Sequence, residues 1–164
     1  MRVQSIAQAA GAILIVNDRA DIARLCGAGG VHVGQDDLSP SAVRLIVGAE
    51  ALVGFSTHTE RQIDGAVREP ISYLAVGPVF GTATKNTGYG AVGLERVRYA
   101  TAALAREPVL TPGTPRGLVA IGGITLERAA DVIQAGADSV AVISDLVSTG
   151  DPRARVREYL DRLS

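Results

Sequence analysis

Short apolar runs alternate with amphipathic stretches along the whole chain. The runs are Ala12 to Val16, Gly30 to Val33, Ala51 to Phe55, Tyr73 to Val76, Leu118 to Ile121 and Ser139 to Ile143. Each is too short for a helix and too uniformly apolar for a strand with one wet face, which is the pattern of parallel strands buried on both sides. Six strands are therefore predicted. The stretches between them carry helical periodicity: Asp21 to Cys26, Pro40 to Val47, Glu60 to Arg68, Leu94 to Arg106 and Leu126 to Gln134, with a last helix from Pro152 to Leu163. Ser39 before Pro40 and Thr125 before Leu126 are start signals, and Gly27, Gly48 and Gly136 are stops. The joints Gly27-Ala28-Gly29-Gly30-Val31 and Gly136-Ala137-Asp138-Ser139-Val140 repeat one helix-stop-strand pattern. Strand and helix in strict alternation predict a parallel α/β sheet with right-handed crossovers, built from the repeating unit of a barrel.

Composition narrows the class. With 164 residues, 47% of them hydrophobic, one domain spanning 1–164 is expected. A net charge of −1 and the lack of a basic cluster interleaved with aromatics argue against nucleic acid as the ligand. Cys26 is the single cysteine, which excludes an internal disulfide and leaves no zinc-ligand spacing; a reducing cytoplasm is the expected compartment. Gln4 and Gln8 interrupt the apolar opening, so no secretory leader is read there, and no run reaches the roughly 18 apolar residues of a membrane span.

The polar residues collect where strands lead into helices: Asn17-Asp18, Gln35-Asp36-Asp37, Ser56-Thr57-His58, Gly77 to Lys85, Gly122-Gly123 and Ser144-Asp145. In a barrel that is the face where sites are built. The longer return from Pro108 to Gly117 carries no comparable chemistry. Asp18 and Asp37 follow neighbouring strands, so their carboxylates are expected at one rim. There they are either helix caps or the two hard oxygen ligands of a magnesium site completed by phosphate oxygens. Asp36 reads as the capping or solvated member of its pair. Lys85 is the only lysine beside fifteen arginines. Set among Thr82, Ala83, Thr84, Thr87 and two glycines, it is either a stray surface cation or a compact charge aimed at anionic oxygens. Gly122-Gly123 and Ile143-Ser144 end the last two strands, where such loops hold a phosphate on backbone N–H groups, or where Gly-Gly simply permits a tight turn. His32 reads as a core histidine satisfied by two partners, and His58 as structural or as a donor at the rim. No Gly-x-Ser-x-Gly elbow surrounds Ser56, so it reads as a ligand contact, not a nucleophile.

Taken in order, these segments resemble the thiamine-phosphate synthase family: Asn17-Asp18-Arg19, Val31 to Asp37, Gly54 to Thr59, Gly77-Pro78-Val79-Phe80 with Thr82 to Lys85, Ala120 to Thr125, and Ala135 to Ser144. The resemblance implies a (β/α)₈ barrel. It also implies a transferase of thiamine biosynthesis that joins hydroxymethylpyrimidine diphosphate to thiazole phosphate with Mg²⁺, releasing diphosphate. By position, Asp18 and Asp37 would hold the metal. Asn17, Ser56 and Lys85 would contact the pyrimidine diphosphate, with Ser56 and Lys85 taking part in catalysis. Thr82, Ala83, Thr84, Gly123, Ile143 and Ser144 would cradle the thiazole phosphate.

The chain departs from the family at its beginning. Family members carry two further strands, the second ending in a Gln-x-Arg-x-Lys motif that grips diphosphate, whereas Met1 to Gly11 resembles the tail of the second helix. The expectation is an N-terminally shortened barrel of six parallel strands lacking about its first two β/α units. Two open sheet edges would then be available for homo-oligomerisation. Two alternatives stay open: a thiazole tautomerase-like relative with His58 at the rim, and a catalytically impaired barrel that only binds thiazole phosphate.

Overall fold

The structure is a computed structural model that describes residues 2–82, 88–107 and 116–163. Ala83, Thr84 and Lys85 lie outside the described residues, as does most of the return from Pro108 to Gly117. The elements follow as α1 (Arg2–Ala9), β1 (Ile15–Asn17), α2 (Ala20–Cys26), β2 (Gly30–Val33), α3 (Pro40–Val47), β3 (Leu52–Thr57) and α4 (Glu60–Ala66). Then come β4 (Tyr73–Val76), α5 (Gly93–Arg106), β5 (Gly117–Ile121), α6 (Leu126–Gln134), β6 (Ser139–Ala141), α7 (Ser144–Val147) and α8 (Pro152–Leu163). All six strands are parallel and stand in chain order, β1 to β6. Among the described residues β1 pairs only with β2, and β6 only with β5.

The helices begin and end for local reasons. The Ser39 hydroxyl accepts from the Ala42 N–H at 3.3 Å, and Pro40 opens α3. Thr59 and Gln62 form a reciprocal capping box on α4, with Gln62 Oε1 also accepting from the His58 N–H at 2.8 Å. Gly27, with φ of 64°, closes α2 in the left-handed region that favours glycine. Several boundaries differ from the apolar pattern: β1 takes in Asn17, and β3 runs on through Ser56 and Thr57. Ala12 to Leu14 precede β1, and Val142 and Ile143 follow β6, because each of these strands has one neighbour and is regular only over the residues that pair. The short helix α7 falls where the sequence reads as loop.

Register decides which side chains meet. Side chains of successive strand residues point to opposite faces. Val31, Val33 and Val53 are buried against Val43 of α3 and Ala23 of α2. Leu74, Val76, Leu118 and Ala120 are buried with Ile63, Val97, Ala129 and Val132 of α4, α5 and α6. Phe55 packs against both groups. On the other face, His32, Gly54 and Tyr73 are register partners on β2, β3 and β4. Gly54 is required there, since a Cβ would overlap the Tyr73 ring. The sheet is curled: residues of β1 and β6, at its two ends, line one cavity.

The end of the sheet where helices return to strands is stitched by side chains. Arg44 donates through Nη1 to the carbonyls of Gly48, Ala49 and Ala51 at 3.1, 3.0 and 2.5 Å, and through Nη2 to the Pro70 carbonyl at 3.0 Å. Arg116 donates to the carbonyls of Val67, Leu104 and Glu107. The Asp138 carboxylate accepts from the Leu118 N–H at 2.7 Å. Each guanidinium gathers carbonyls from helix ends and from the returns that follow them.

Two glycine substitutions should act in opposite directions. Gly54→Val forces the Tyr73 ring aside and should lower unfolding free energy by about 2–3 kcal/mol. Gly65→Ala, on the exposed face of α4 with nothing near its Cβ position, should raise it by about 0.5 kcal/mol. Urea denaturation of both variants measures the two signs.

Candidate active site

A cavity of about 660 Å³ opens where the strands lead into the helices. It is lined by Asn17, Asp18, Asp37, Ser56, Thr82, Gly123, Ile143 and Ser144, every one of the site residues expected from the sequence that the structure describes. Asp36, His32 and His58 line it too.

Asn17 ends β1, and Asp18 follows with φ of 63°, a conformation in which aspartate is among the better-tolerated residues. The Asp18 N–H donates to the His32 carbonyl at 2.7 Å, which fixes the turn against β2. In the loop after β2, Asp37 Oδ2 accepts from the Gly34 N–H at 2.8 Å. The loop thus holds one carboxylate oxygen and leaves Oδ1 for a ligand. Gln35 of the same loop donates to the Ser56 carbonyl at 2.6 Å. Among the described residues no group of three or more His, Cys, Asp and Glu side chains comes together as a metal site. A donor set of two carboxylates on neighbouring loops suits Mg²⁺ shared with phosphate oxygens, and does not suit zinc.

The opposite wall is backbone. Gly77 and Pro78, joined by a cis peptide bond, lead out of β4. The Val79 N–H then donates to the Ile121 carbonyl at 2.9 Å, and the Phe80 N–H to that of Gly122 at 3.0 Å. The loops after β4 and β5 therefore run on as a paired ladder beyond the sheet. Gly122 and Gly123 have φ of 96° and 64°; a Cβ on Gly123 would sit 2.5 Å from the Gly81 carbonyl oxygen. Only glycine fits this close approach.

Thr125 stands at the N-cap of α6, yet its side chain makes no cap bond. Asp145 of α7 takes that role, accepting from the Leu126 N–H at 3.3 Å. Its carboxylate is also gripped by Arg155 of α8 through Nε at 2.9 Å and Nη2 at 3.1 Å, and by the Tyr159 hydroxyl at 2.7 Å. The Arg155 hydrogen bond, helped by Tyr159, holds the Asp145 carboxyl below the usual carboxylate range. One carboxylate thus locks α6, α7 and α8 behind the Gly122-Gly123 and Ile143-Ser144 wall.

Two lining residues carry a signal that the sequence reading assigned no role. Tyr89, one of only four tyrosines, stacks on His58 with centroids 4.0 Å apart and planes at 15°. Gln62 Nε2 donates to its hydroxyl at 3.1 Å, so the capping residue of α4 also holds the rim. His58 Nδ1 lies 2.5 Å from the Gly77 carbonyl. A carbonyl only accepts, so Nδ1 carries the proton. Gln35 is the other; its neighbours Asp36 and Asp37 drew the chemical reading away from it.

A curled sheet of six parallel strands alternating with helices, with carboxylates on one side of its rim and glycine backbone on the other, is a barrel-like α/β fold with its cavity at the ends of the strands. The family model for thiamine monophosphate synthase matches residues 1–146, and the chain belongs to that family. It is 51% identical over 150 residues to a thiamine-phosphate synthase of Koribacter versatilis, covering 92% of this chain and 65% of that relative. A thiamine-phosphate synthase of Gloeobacter violaceus is 40% identical over 164 residues, covering all of this chain and 45% of its own length. The chain therefore spans less than two thirds of each of these relatives. The solved thiamine phosphate pyrophosphorylase of Pyrococcus furiosus superposes with a TM-score of 0.82 at 26% identity, covering 98% of this chain and 72% of that one.

Because the folded-state pKa of Asp145 is depressed, its contribution to stability is present above the ordinary carboxylate pKa and is lost as pH falls through the lower folded value. Thermal unfolding followed from pH 7 down to pH 2 should show an acid loss for the native chain. In Asp145→Asn that loss should be smaller, and the midpoint at pH 7 should be lower by roughly 3–6 °C.

Proposed function

We propose that the chain is a thiamine-phosphate synthase, condensing hydroxymethylpyrimidine diphosphate with thiazole phosphate to give thiamine phosphate and diphosphate. The observation that carries this reading is that one cavity gathers Asn17, Asp18, Asp37 and Ser56 on one side and Thr82, Gly123, Ile143 and Ser144 on the other. The six strands are read as six of the eight of a (β/α)₈ barrel.

The two sides divide the labour. Asn17 and Ser56 would hold the pyrimidine diphosphate, with Lys85 added from outside the described residues. Mg²⁺, held by Asp18 and Asp37, would supply positive charge to the departing diphosphate. The backbone N–H groups around Gly123 and Ser144, with Thr82, Ala83 and Thr84, would take the thiazole phosphate. The thiazole ring nitrogen then forms a bond to the pyrimidine methylene carbon. The carbon–oxygen bond to diphosphate breaks with its electron pair leaving on oxygen. No protein nucleophile takes part. The site's work is to orient two rings and to stabilise charge on the leaving group.

A specific observation also bears on the tautomerase-like alternative. His58, whose Nδ1–H donates to the Gly77 carbonyl, lines the cavity at the rim position that this alternative requires.

Incubating the purified chain with both substrates and Mg²⁺ tests the reading: thiamine phosphate and diphosphate should form. Thiazole rearrangement without thiamine phosphate would favour the alternative. Asp18→Ala and Lys85→Ala should each lower kcat/KM by about 100-fold or more. A change of less than about threefold in either would remove that residue from the mechanism.

A further inference from the structure

Beneath the rim, three side chains from β2, β3 and β4 form a hydrogen-bonded row. The Tyr73 hydroxyl lies 3.0 Å from His32 Nδ1, and His32 Nε2 lies 2.7 Å from Ser56 Oγ. The row exists because Gly54 stands between His32 and Tyr73 in register and offers no side chain, so the Tyr73 ring crosses it and stacks on His32 at 5.6 Å. Nothing in the proposed chemistry uses Tyr73 or His32.

The direction of the row follows from proton counting. A neutral imidazole has one donor nitrogen and one acceptor, whereas a tyrosine hydroxyl donates one proton. His32 Nδ1 is the partner of the Tyr73 hydroxyl among the described residues. Were Nδ1 protonated, the half-buried phenol would accept from it, and its own proton would go without a partner, which is costly away from water. Burial also raises the Tyr73 pKa, so the hydroxyl keeps its proton. Tyr73 therefore donates to Nδ1, Nε2 carries the imidazole proton, and Nε2–H donates to Ser56 Oγ. The Ser56 hydroxyl, which lines the cavity, is left to donate outward.

We infer that Tyr73 and His32 are positioning residues that fix Ser56 as a hydrogen-bond donor, so that the cavity selects a ligand atom with a lone pair at that point. This rests on the reading of Ser56 as a contact of the pyrimidine diphosphate. The acceptor is then a ring nitrogen or a diphosphate oxygen. The same logic gives the protein's two histidines opposite tautomers, His58 protonated on Nδ1 and His32 on Nε2.

Nitrogen-15 NMR of the imidazole-labelled chain, assigned with a His32→Gln variant, decides the tautomer without any turnover. One histidine of each kind is expected, with His32 shifting to a mixture in Tyr73→Phe. Two Nδ1–H histidines would overturn the inference. Calorimetry then measures the dissociation constants of the pyrimidine diphosphate and of inorganic diphosphate. Ser56→Ala should weaken the pyrimidine diphosphate about tenfold and Tyr73→Phe about threefold, and the double variant should be no weaker than Ser56→Ala alone. In Tyr73→Phe the loss should fall on KM and leave kcat within about twofold. A double variant about thirtyfold weaker would show that Tyr73 acts independently of Ser56 and sink the relay. Weakening of inorganic diphosphate as well assigns the acceptor to an oxygen, and its absence assigns the ring. Should the chain bind no pyrimidine diphosphate at all, the functional reading fails, while the tautomers still decide the direction of the row.

Discussion

Everything in this molecule depends on the register of six parallel strands. Because β1 to β6 run the same way in chain order, every strand-to-helix loop reaches the same rim and every return reaches the other end. The two ends are built from different materials. At the return end, Arg44 and Arg116 spread their forked guanidinium groups over carbonyls of the helix-to-strand returns after α3, α4 and α5, and Asp138 takes a backbone N–H of β5. At the rim, short polar residues, glycine backbone and carboxylates line a cavity.

The rim itself is not loose. The loops after β4 and β5 continue as a ladder through Val79 and Phe80, and Asp145 ties three helices behind the glycine wall. Preorganisation of this kind would matter for the proposed condensation, which forms no covalent intermediate. Its acceleration would come from holding two rings and a leaving group in place, and a misplacement of about 1 Å in such a site costs on the order of 100-fold in rate. The Asp145 network stands behind the cavity wall and supports it through contacts to protein alone.

The order and number of strands were legible in the sequence, since uniformly apolar runs of four or five residues leave few other readings. Their ends were less so. The run Ser139 to Ile143 gives no sign that pairing stops at Ala141, because that depends on β5 being the one neighbour. Asn17, Asp18, Asp37, Ser56, Thr82, Gly123, Ile143 and Ser144 were legible by position, as residues at or past the ends of strands. The part played by Asp145 was not, because Arg155 and Tyr159 reach it from a helix whose placement is a matter of tertiary packing. Nor was the row from Tyr73 to Ser56, which needs three strands in register before it exists.

His32 shows why the burial of a side chain is a poor guide to its role. Its two ring nitrogens are both matched, as expected of a core histidine, yet the match leaves a consequence at the surface of the cavity. A hydroxyl is rotationally free and can donate or accept, so Ser56 alone would present an undetermined group to a ligand. Bonded to Nε2–H, its oxygen is committed as an acceptor on the protein side and its proton is turned outward. That removes one rotational choice before the ligand arrives, and with it part of the ordering cost of binding. Gly54 is the residue that makes this possible, since any side chain there would part Tyr73 from His32. A position with no functional group thus sets the polarity of one that has it.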